Sequence, residues 1–301
     1  MKVLISGVSG FLGVALAQRL AADGCAVFGT HIGDEPSIPG VSSVDADLLD
    51  PAALARAVDW ARPDVVIHLA GLSHVGDSRG REEEYWRVNV TGTENMLRAA
   101  TGRRVLFASS AQVYGPVPPE SQPIREQRRP QPQNPYAETK AAAERLVLTT
   151  QGTVVRLFNV VGRGQARSFA LPSFAHQLAS LRHCKDAVIE VGDLSPRRDF
   201  LPLEDAIDGY ACLMEHGEPA TVYNLGSGVA VSVAEALELL MDVSGVRPSI
   251  EVDETRLRKA EVPLLCADIS RLRSLGWEPR TPLREALQDL WASVAEADPI
   301  S

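Results

Sequence analysis

The feature that most limits what this chain can become is Gly7-Val8-Ser9-Gly10-Phe11-Leu12-Gly13. These three glycines follow directly on an apolar run at 3–5 and lead into a helix-like segment at 12–22. Missing side chains allow a tight turn and let an anion come close to backbone amides, while a helix N-terminus adds partial positive charge. A glycine trio alone also suits an ordinary strand-to-helix turn. Placed between a strand and a helix at the start of the chain, it points to a pocket for the pyrophosphate of a dinucleotide.

The rest of the first half keeps this rhythm. Apolar runs at 26–29, 65–69, 105–108 and 154–158 alternate with helical-length segments at 51–60, 83–100 and 136–150. Runs that are apolar throughout mark strands buried on both faces, so the expected fold class is α/β, a doubly wound parallel-sheet Rossmann domain. That domain is assigned to residues 1–162. Beyond it the pattern turns to helices, short strands and Arg/Pro-rich loops, read as a smaller mixed α/β substrate domain over 163–301, with 222–225 a candidate strand returning to the main sheet. Ser232 and Glu235 have capping-box spacing before a helix at 233–243, and Asp268 is placed to cap a helix at 269–275 that Gly276 ends.

Composition narrows the partners. The chain has 301 residues, 45% of them hydrophobic, enough for a large α/β unit with a companion. Its formal net charge of −9 argues against nonspecific nucleic-acid binding, which needs a basic face. No stretch approaches about 18 apolar residues and no apolar h-region follows a basic start, so neither a membrane partner nor secretion is expected. Four scattered cysteines, Cys25, Cys184, Cys212 and Cys266, lack metal or disulfide spacing and suit a reducing, cytoplasmic setting; no metal site is expected.

Further motifs follow in order: Asp47-Leu48, His68-Leu69-Ala70-Gly71, Ser109-Ser110-Ala111-Gln112-Val113-Tyr114-Gly115 and Tyr136-Ala137-Glu138-Thr139-Lys140. Together with the Gly-x-x-Gly-x-x-Gly loop, they resemble the extended short-chain dehydrogenase/reductase family. A phenol titrates near 10, and a lysine one helical turn away can bias it, which makes Tyr136 and Lys140 candidate catalytic residues. Ser110, at a strand end where open α/β sheets bind ligands, is chosen over Ser109 to hold the reacting oxygen because its distance from Tyr114-Gly115 fits the family pattern. The resemblance implies a cofactor site formed by Gly7, Gly10, Phe11, Leu12, Gly13, His31, Asp47, Leu48, Leu69, Ala70, Gly71, Tyr136 and Lys140. In it Asp47 would accept from the adenine amino group and Leu48 would flank the ring.

The second half resembles the nucleotide-sugar epimerase, dehydratase and reductase group, with the nearest likeness to GDP-mannose 4,6-dehydratases and GDP-4-keto-6-deoxy-mannose reductases. Leu72-Ser73-His74-Val75, Arg156-Leu157-Phe158-Asn159, Arg198-Asp199-Phe200 and Arg258-Lys259-Ala260-Glu261-Val262 carry that likeness. It implies substrate contacts from Ser73, Asn159, Arg198, Arg258 and Glu261, with arginine suited to a diphosphate and Glu261 to the nucleotide ribose. A GDP-sugar is favoured, with UDP- and dTDP-sugars open, and a homodimer through the helices at 83–100 and 136–150 is implied.

A 4,6-dehydratase needs a further acid/base group, and the related enzymes carry a glutamate where this chain has Gln112, preceded by Ala111. Dehydration is therefore set behind 4-keto reduction and 4-epimerisation, and reduction is placed first on the closeness to the GDP-sugar reductases. A noncatalytic dinucleotide sensor would not need the Tyr136/Lys140 pair. The cofactor is NADP or NAD. The second strand ends in Thr30-His31-Ile32-Gly33-Asp34, with no acid at its end, which tips the reading to NADP.

Overall fold

The computed structural model describes residues 1–184, 186–256 and 262–297. Along the chain, β1 (Lys2–Ser6), α1 (Phe11–Ala22), β2 (Ala26–His31), β3 (Val41–Asp45), α2 (Pro51–Ala61) and β4 (Val65–His68) come first. They are followed by α3 (Glu82–Trp86), α4 (Gly92–Ala99), β5 (Arg104–Ser110), α5 (Pro135–Thr149), β6 (Thr153–Leu157) and β7 (Asn159–Val161). The second half holds α6 (Ala170–Ser180), β8 (Val188–Val191), β9 (Arg197–Pro202), α7 (Leu203–His216), β10 (Val222–Leu225), β11 (Ala230–Ser232), α8 (Val233–Ser244), β12 (Ser249–Val252), β13 (Leu264–Leu265), α9 (Ser270–Arg273) and α10 (Leu283–Ala297).

The main sheet has seven strands in the order β3-β2-β1-β4-β5-β6-β10, with every neighbouring pair parallel. The order reverses direction at β1, so a crevice opens beyond the carboxyl ends of β1 and β4, where such sheets bind ligands. Two apolar layers sandwich the sheet. One joins Leu16 and Leu20 of α1 to Tyr210 and Leu213 of α7, and the other joins Leu54 of α2 and Met96 of α4 to Val147 of α5. This explains the continuous apolar strands: Val3, Leu4 and Ile5 are all fully buried. Val222–Leu225 pairs with β6 at the sheet edge, so the chain returns from its second half to complete this sheet.

The second lobe is built on β9, which pairs with β11 antiparallel and with β13 and β7 in parallel, while β8 and β12 form a separate pair. Its own core gathers Phe174 of α6, Leu240 of α8 and Leu290 of α10. Asn159 opens β7, one residue past the end of β6, where the chain passes from the main sheet to the second lobe.

Three local expectations change. The strand Val41–Asp45 was not expected, because its V-S-S-V-D sequence has no apolar run. As an edge strand it needs only partial burial, and Val41, Ser43 and Val44 are half-buried. The helix expected over 83–100 is broken by a π turn at Arg87–Thr91, where Asn89 turns its amide out of the helix toward neighbouring segments. The helix expected at 269–275 is shorter, with Ile269 at its cap and the Asp268 carboxylate accepting from the Ser270 amide at 2.9 Å. By contrast the Ser232/Glu235 capping box forms in both directions.

Candidate active site

The glycine loop is packed so closely that larger residues have no room. Gly7 has φ +72°, and a Cβ there would lie 2.9 Å from Ala70 Cα; one on Gly13 would lie 2.2 Å from the Gly7 carbonyl oxygen. Gly10 caps α1 without a side chain, so the opening amides of that helix, next to half-buried Phe11 and Leu12, have no side-chain acceptor. A ligand phosphate can take that place. The glycine cradle and uncapped helix start fit a dinucleotide.

A hydrogen-bonded chain ties this loop to β4. The Ala70 amide donates to Ser6 Oγ at 3.2 Å, and the Ser6 hydroxyl meets His68 Nδ1 at 2.6 Å. His68 Nε2 lies 3.0 Å from Thr93 Oγ1, whose own proton goes to the Asn89 carbonyl at 2.6 Å. Because Thr93 donates onward, the imidazole proton must sit on Nε2, leaving Nδ1 to accept from Ser6. Burial, with Lys140 nearby, pushes the His68 pKa down to about 3, so the ring stays neutral. The motif histidine is thus a structural relay that fixes Leu69, Ala70 and Gly71 beneath the crevice.

Asn134 begins the helix that carries Tyr136 and Lys140. Its side chain accepts from the Ala137 amide at 2.9 Å, and Pro135 occupies the first helical position, where its missing N–H costs nothing. Tyr136 is buried, and burial raises its phenol above the usual range while a hydrogen bond with Ser110 acts in the opposite direction. Ser110 also caps a short turn, its Oγ accepting from the Gln112 amide at 3.2 Å. The hydroxyl of Ser109 is engaged elsewhere, donating to Glu144 at 2.6 Å, which leaves Ser110 as the serine beside the phenol.

Lys140 follows one turn along the same helix. Its ammonium donates to the Ala108 carbonyl at 2.9 Å and sits 4.9 Å above the Phe107 ring. Burial pulls its pKa down to about 8, with Glu144 opposing. In this arrangement burial, Ser110 and Tyr85 set the phenol's acidity.

Asn89 is a site residue that the sequence reading missed. Its side chain accepts from the Leu72 amide at 2.8 Å and donates to the Leu72 carbonyl at 3.0 Å and to Thr139 Oγ1 at 3.1 Å, stitching the strand-end loop to α5. The only signal was an amide between two valines in an apparent helix.

Other expected residues have mixed surroundings. Asp47 is exposed and its carboxylate accepts from the Leu49 amide, whereas Leu48 is buried in the α2/α4 core, so little of its side chain faces a ligand. Ser73 and Asn159 are exposed. Arg198 is buried, with one nitrogen on the Arg197 carbonyl. Arg156, part of a segment likened to a substrate contact, is instead locked into a buried ion pair with Glu144 at 2.8 Å. Arg258 and Glu261 lie outside the described residues.

Residues 3–226 match the family described as "NAD dependent epimerase/dehydratase family". The chain belongs to that family. It is 36% identical over 300 residues to the GDP-6-deoxy-D-mannose reductase of Pseudomonas aeruginosa, covering 95% of each chain. It is also 30% identical to the GDP-6-deoxy-D-talose 4-dehydrogenase of Aggregatibacter actinomycetemcomitans, covering 97% of each. The structure of RMD from Pseudomonas aeruginosa complexed with NADPH superimposes with a TM-score of 0.86 at 34% identity, covering 99% of this chain and 100% of that one. The protein is thus an NAD(P)-dependent enzyme of the extended short-chain dehydrogenase/reductase type, and among its described residues no helix is long and apolar enough to cross a membrane.

Gly10→Asp tests the loop directly. A Cβ at Gly10 would lie 3.3 Å from the Gly7 carbonyl oxygen, a tight but exposed position, and aspartate is a good N-cap, so the helix should persist. Its carboxylate would stand at the uncapped helix start, against any phosphate held there. Loss of a charged hydrogen bond is worth about 1.5–3 kcal/mol, so calorimetry should show dinucleotide affinity reduced about 10- to 100-fold with an unchanged far-UV spectrum.

Proposed function

We propose that this protein reduces the 4-keto group of a nucleotide-linked 4-keto-6-deoxyhexose, with a GDP-sugar as the favoured substrate. The likeness to a GDP-sugar reductase carries the choice of reduction over 4-epimerisation, and the observation that sets dehydration behind it is local. Tyr136 is held as a neutral phenol beside Ser110, and the positions after that serine are Ala111 and Gln112, neither able to exchange a proton as a dehydratase requires. The 36% identity to a GDP-6-deoxy-D-mannose reductase across both chains supports the same choice.

Bound reduced nicotinamide would supply the hydride. Ser110 would donate to the keto oxygen and align it, and Tyr136 would hand over the proton as negative charge develops there. Lys140, as an ammonium, would hold the nicotinamide ribose and favour transfer from the phenol. Phe11, Leu12, Asp47 and residues 69–71 would complete the dinucleotide pocket. Ser73, Asn159 and Arg198 would hold the sugar nucleotide, together with Arg258 and Glu261.

The proposal includes a homodimer through the faces of α3, α4 and α5, where Trp86 is 43% exposed, and a cytoplasmic location. Sedimentation of the purified chain tests the dimer.

The decisive assay offers GDP-, UDP- and dTDP-linked 4-keto-6-deoxyhexoses in turn while NADH and NADPH absorbance is followed. Oxidation of the dinucleotide with formation of the 4-hydroxy product is expected, fastest with the GDP-sugar. Loss of water from intact GDP-mannose, with no reduction of the ketones, would replace this reading with dehydration.

The acidity of Lys140 adds a pH test. Reduction needs Tyr136 protonated and Lys140 charged. Since Lys140 titrates near 8, the kcat/KM for the dinucleotide, which reports the ligand-free protein, should be level near neutrality and fall about tenfold per pH unit above about 8. Lys140→Met should be slower and lack that fall.

A further inference from the structure

The main-sheet lobe and the second lobe are joined in different ways on the two sides of the crevice. Beside β10, whose Asn224 side chain donates to the Ile124 carbonyl at 2.7 Å, the join is made largely by backbone. The Ile124 amide donates to the Cys266 carbonyl at 2.8 Å and the Asp268 amide to the Ile124 carbonyl at 2.9 Å. The Gln122 side chain adds a donor to the Leu264 carbonyl at 2.8 Å and an acceptor for the Cys266 amide at 3.0 Å. Beyond β4, among the described residues, the hydrogen bond across comes from a side chain. His74 Nε2 lies 3.2 Å from the Ser168 carbonyl oxygen, in the loop that opens α6, and its ring stands edge-on to Phe169 at 5.7 Å between centroids.

The rest of His74 is anchored in the main-sheet lobe. Its carbonyl accepts from the Tyr85 hydroxyl at 2.6 Å, and its ring lies so close to Gly76 that a Cβ there would come within 2.9 Å of it. Nδ1 faces the Asp77 amide at 3.3 Å and the Asp77 carboxylate at 2.8 Å. One is a donor and the other an acceptor, so Nδ1 keeps a partner with or without a proton. Nε2 can therefore donate to Ser168 in either form of the ring. Ser73, the preceding residue, is an expected contact of the nucleotide sugar, and Arg198 on β9 is another from the opposite lobe. A ligand held by both spans the gap that His74 bridges. Walls already held at their working separation spare the binding energy that ordering them would consume.

We propose that His74 is a positioning residue, a latch that holds the 72–78 loop and Ser73 against the entry of α6, so that the nucleotide sugar meets a site already at its working width. The proposal rests on the sugar nucleotide lying between the lobes, as the reductase reading has it. The backbone join beside β10 is the fixed side, and loss of the latch frees the side beyond β4.

Two variants separate the latch from simple packing. His74→Phe keeps a ring against Phe169 and loses both nitrogens, whereas His74→Gln keeps a donor at about the reach of Nε2. In amide hydrogen exchange on the sugar-free protein, His74→Phe should exchange faster at 72–78 and at 165–170 together, with 122–126 unchanged, and His74→Gln should restore the wild-type rates. Unchanged exchange at 165–170 in His74→Phe would overturn the latch, whatever the protein reduces. With dinucleotide bound, the KM for a GDP-linked 4-keto-6-deoxyhexose and the calorimetric Kd of GDP-mannose should both rise about 3- to 10-fold in His74→Phe, the worth of one hydrogen bond, with kcat held within about twofold. Both should recover in His74→Gln. A lower kcat at unchanged KM would make His74 a packing residue and overturn the proposal. If His74→Phe does not fold, His74→Asn, whose amide matches the reach of Nδ1 rather than Nε2, should show the same loss and decides in its place. Failure to reduce any keto-sugar leaves the exchange result standing, so the two readings fail separately.

Discussion

Tyr136→Phe is expected to lower kcat for ketone reduction about 100- to 10,000-fold, the usual worth of a positioned general acid. As hydride reaches the keto carbon, charge grows on its oxygen, and the phenol must deliver a proton before that oxyanion becomes costly. Phenylalanine keeps the ring and its packing against the site but removes the phenolic proton. Ser110 would remain as a hydrogen-bond donor, which sets a floor above the uncatalysed rate. Because the buried ring is kept and only its hydroxyl is lost, the variant should fold normally. Both ligands should bind with affinities close to wild type. Steady-state rates with the 4-keto sugar, combined with separate titrations of dinucleotide and nucleotide, make the check, and undiminished reduction would remove Tyr136 from the chemical step.

The second large effect concerns stability. Glu144 and Arg156 form a two-pronged pair, at 2.9 and 2.8 Å, with side chains only 3% and 5% exposed. The same carboxylate accepts from Ser109, while Arg156 donates to the Glu126 carbonyl at 3.1 Å and lies 4.7 Å over the Tyr114 ring. Burial works against the Arg156 charge, but Glu144 outweighs it and the guanidinium's pKa is raised. Removing one partner leaves the other charged and alone in the interior. Glu144→Ala is therefore expected to cost about 3–5 kcal/mol, read as a lower urea midpoint. Glu144→Leu with Arg156→Met should cost less than the two single changes added together, because no isolated charge remains. Full additivity would show that the pair does not act as a unit. The network also explains the choice between adjacent serines: Glu144 occupies the Ser109 hydroxyl, so only the Ser110 hydroxyl stands at the phenol.

Much of the architecture was legible because parallel strands buried on both faces must be apolar almost throughout, and because the glycine loop and helix caps are written in neighbouring residues. The capping box at Ser232 and Glu235 shows this best: both of its hydrogen bonds lie within four positions of sequence. β3 escaped notice for the opposite reason. An edge strand has one sheet neighbour and partial burial, so serines are tolerated and no apolar run marks it.

By itself, then, the sequence determined the βαβ opening, the alternating first half and the short-range motifs that put Ser110 at the end of β5 and Tyr136 and Lys140 one turn apart on α5, since each depends on local spacing. Tertiary structure alone decided which side chains those motifs meet. It gave the candidate returning strand Val222–Leu225 its partner β6, placed Asn89 on the loop after β4, and turned Arg156 inward to Glu144. It also left His31 Nδ1 buried without a partner. The physical reason is that desolvation and pairing depend on atoms brought together from distant parts of the chain, and the same arginine or histidine is a ligand contact, a structural ion or an unfilled donor according to what surrounds it.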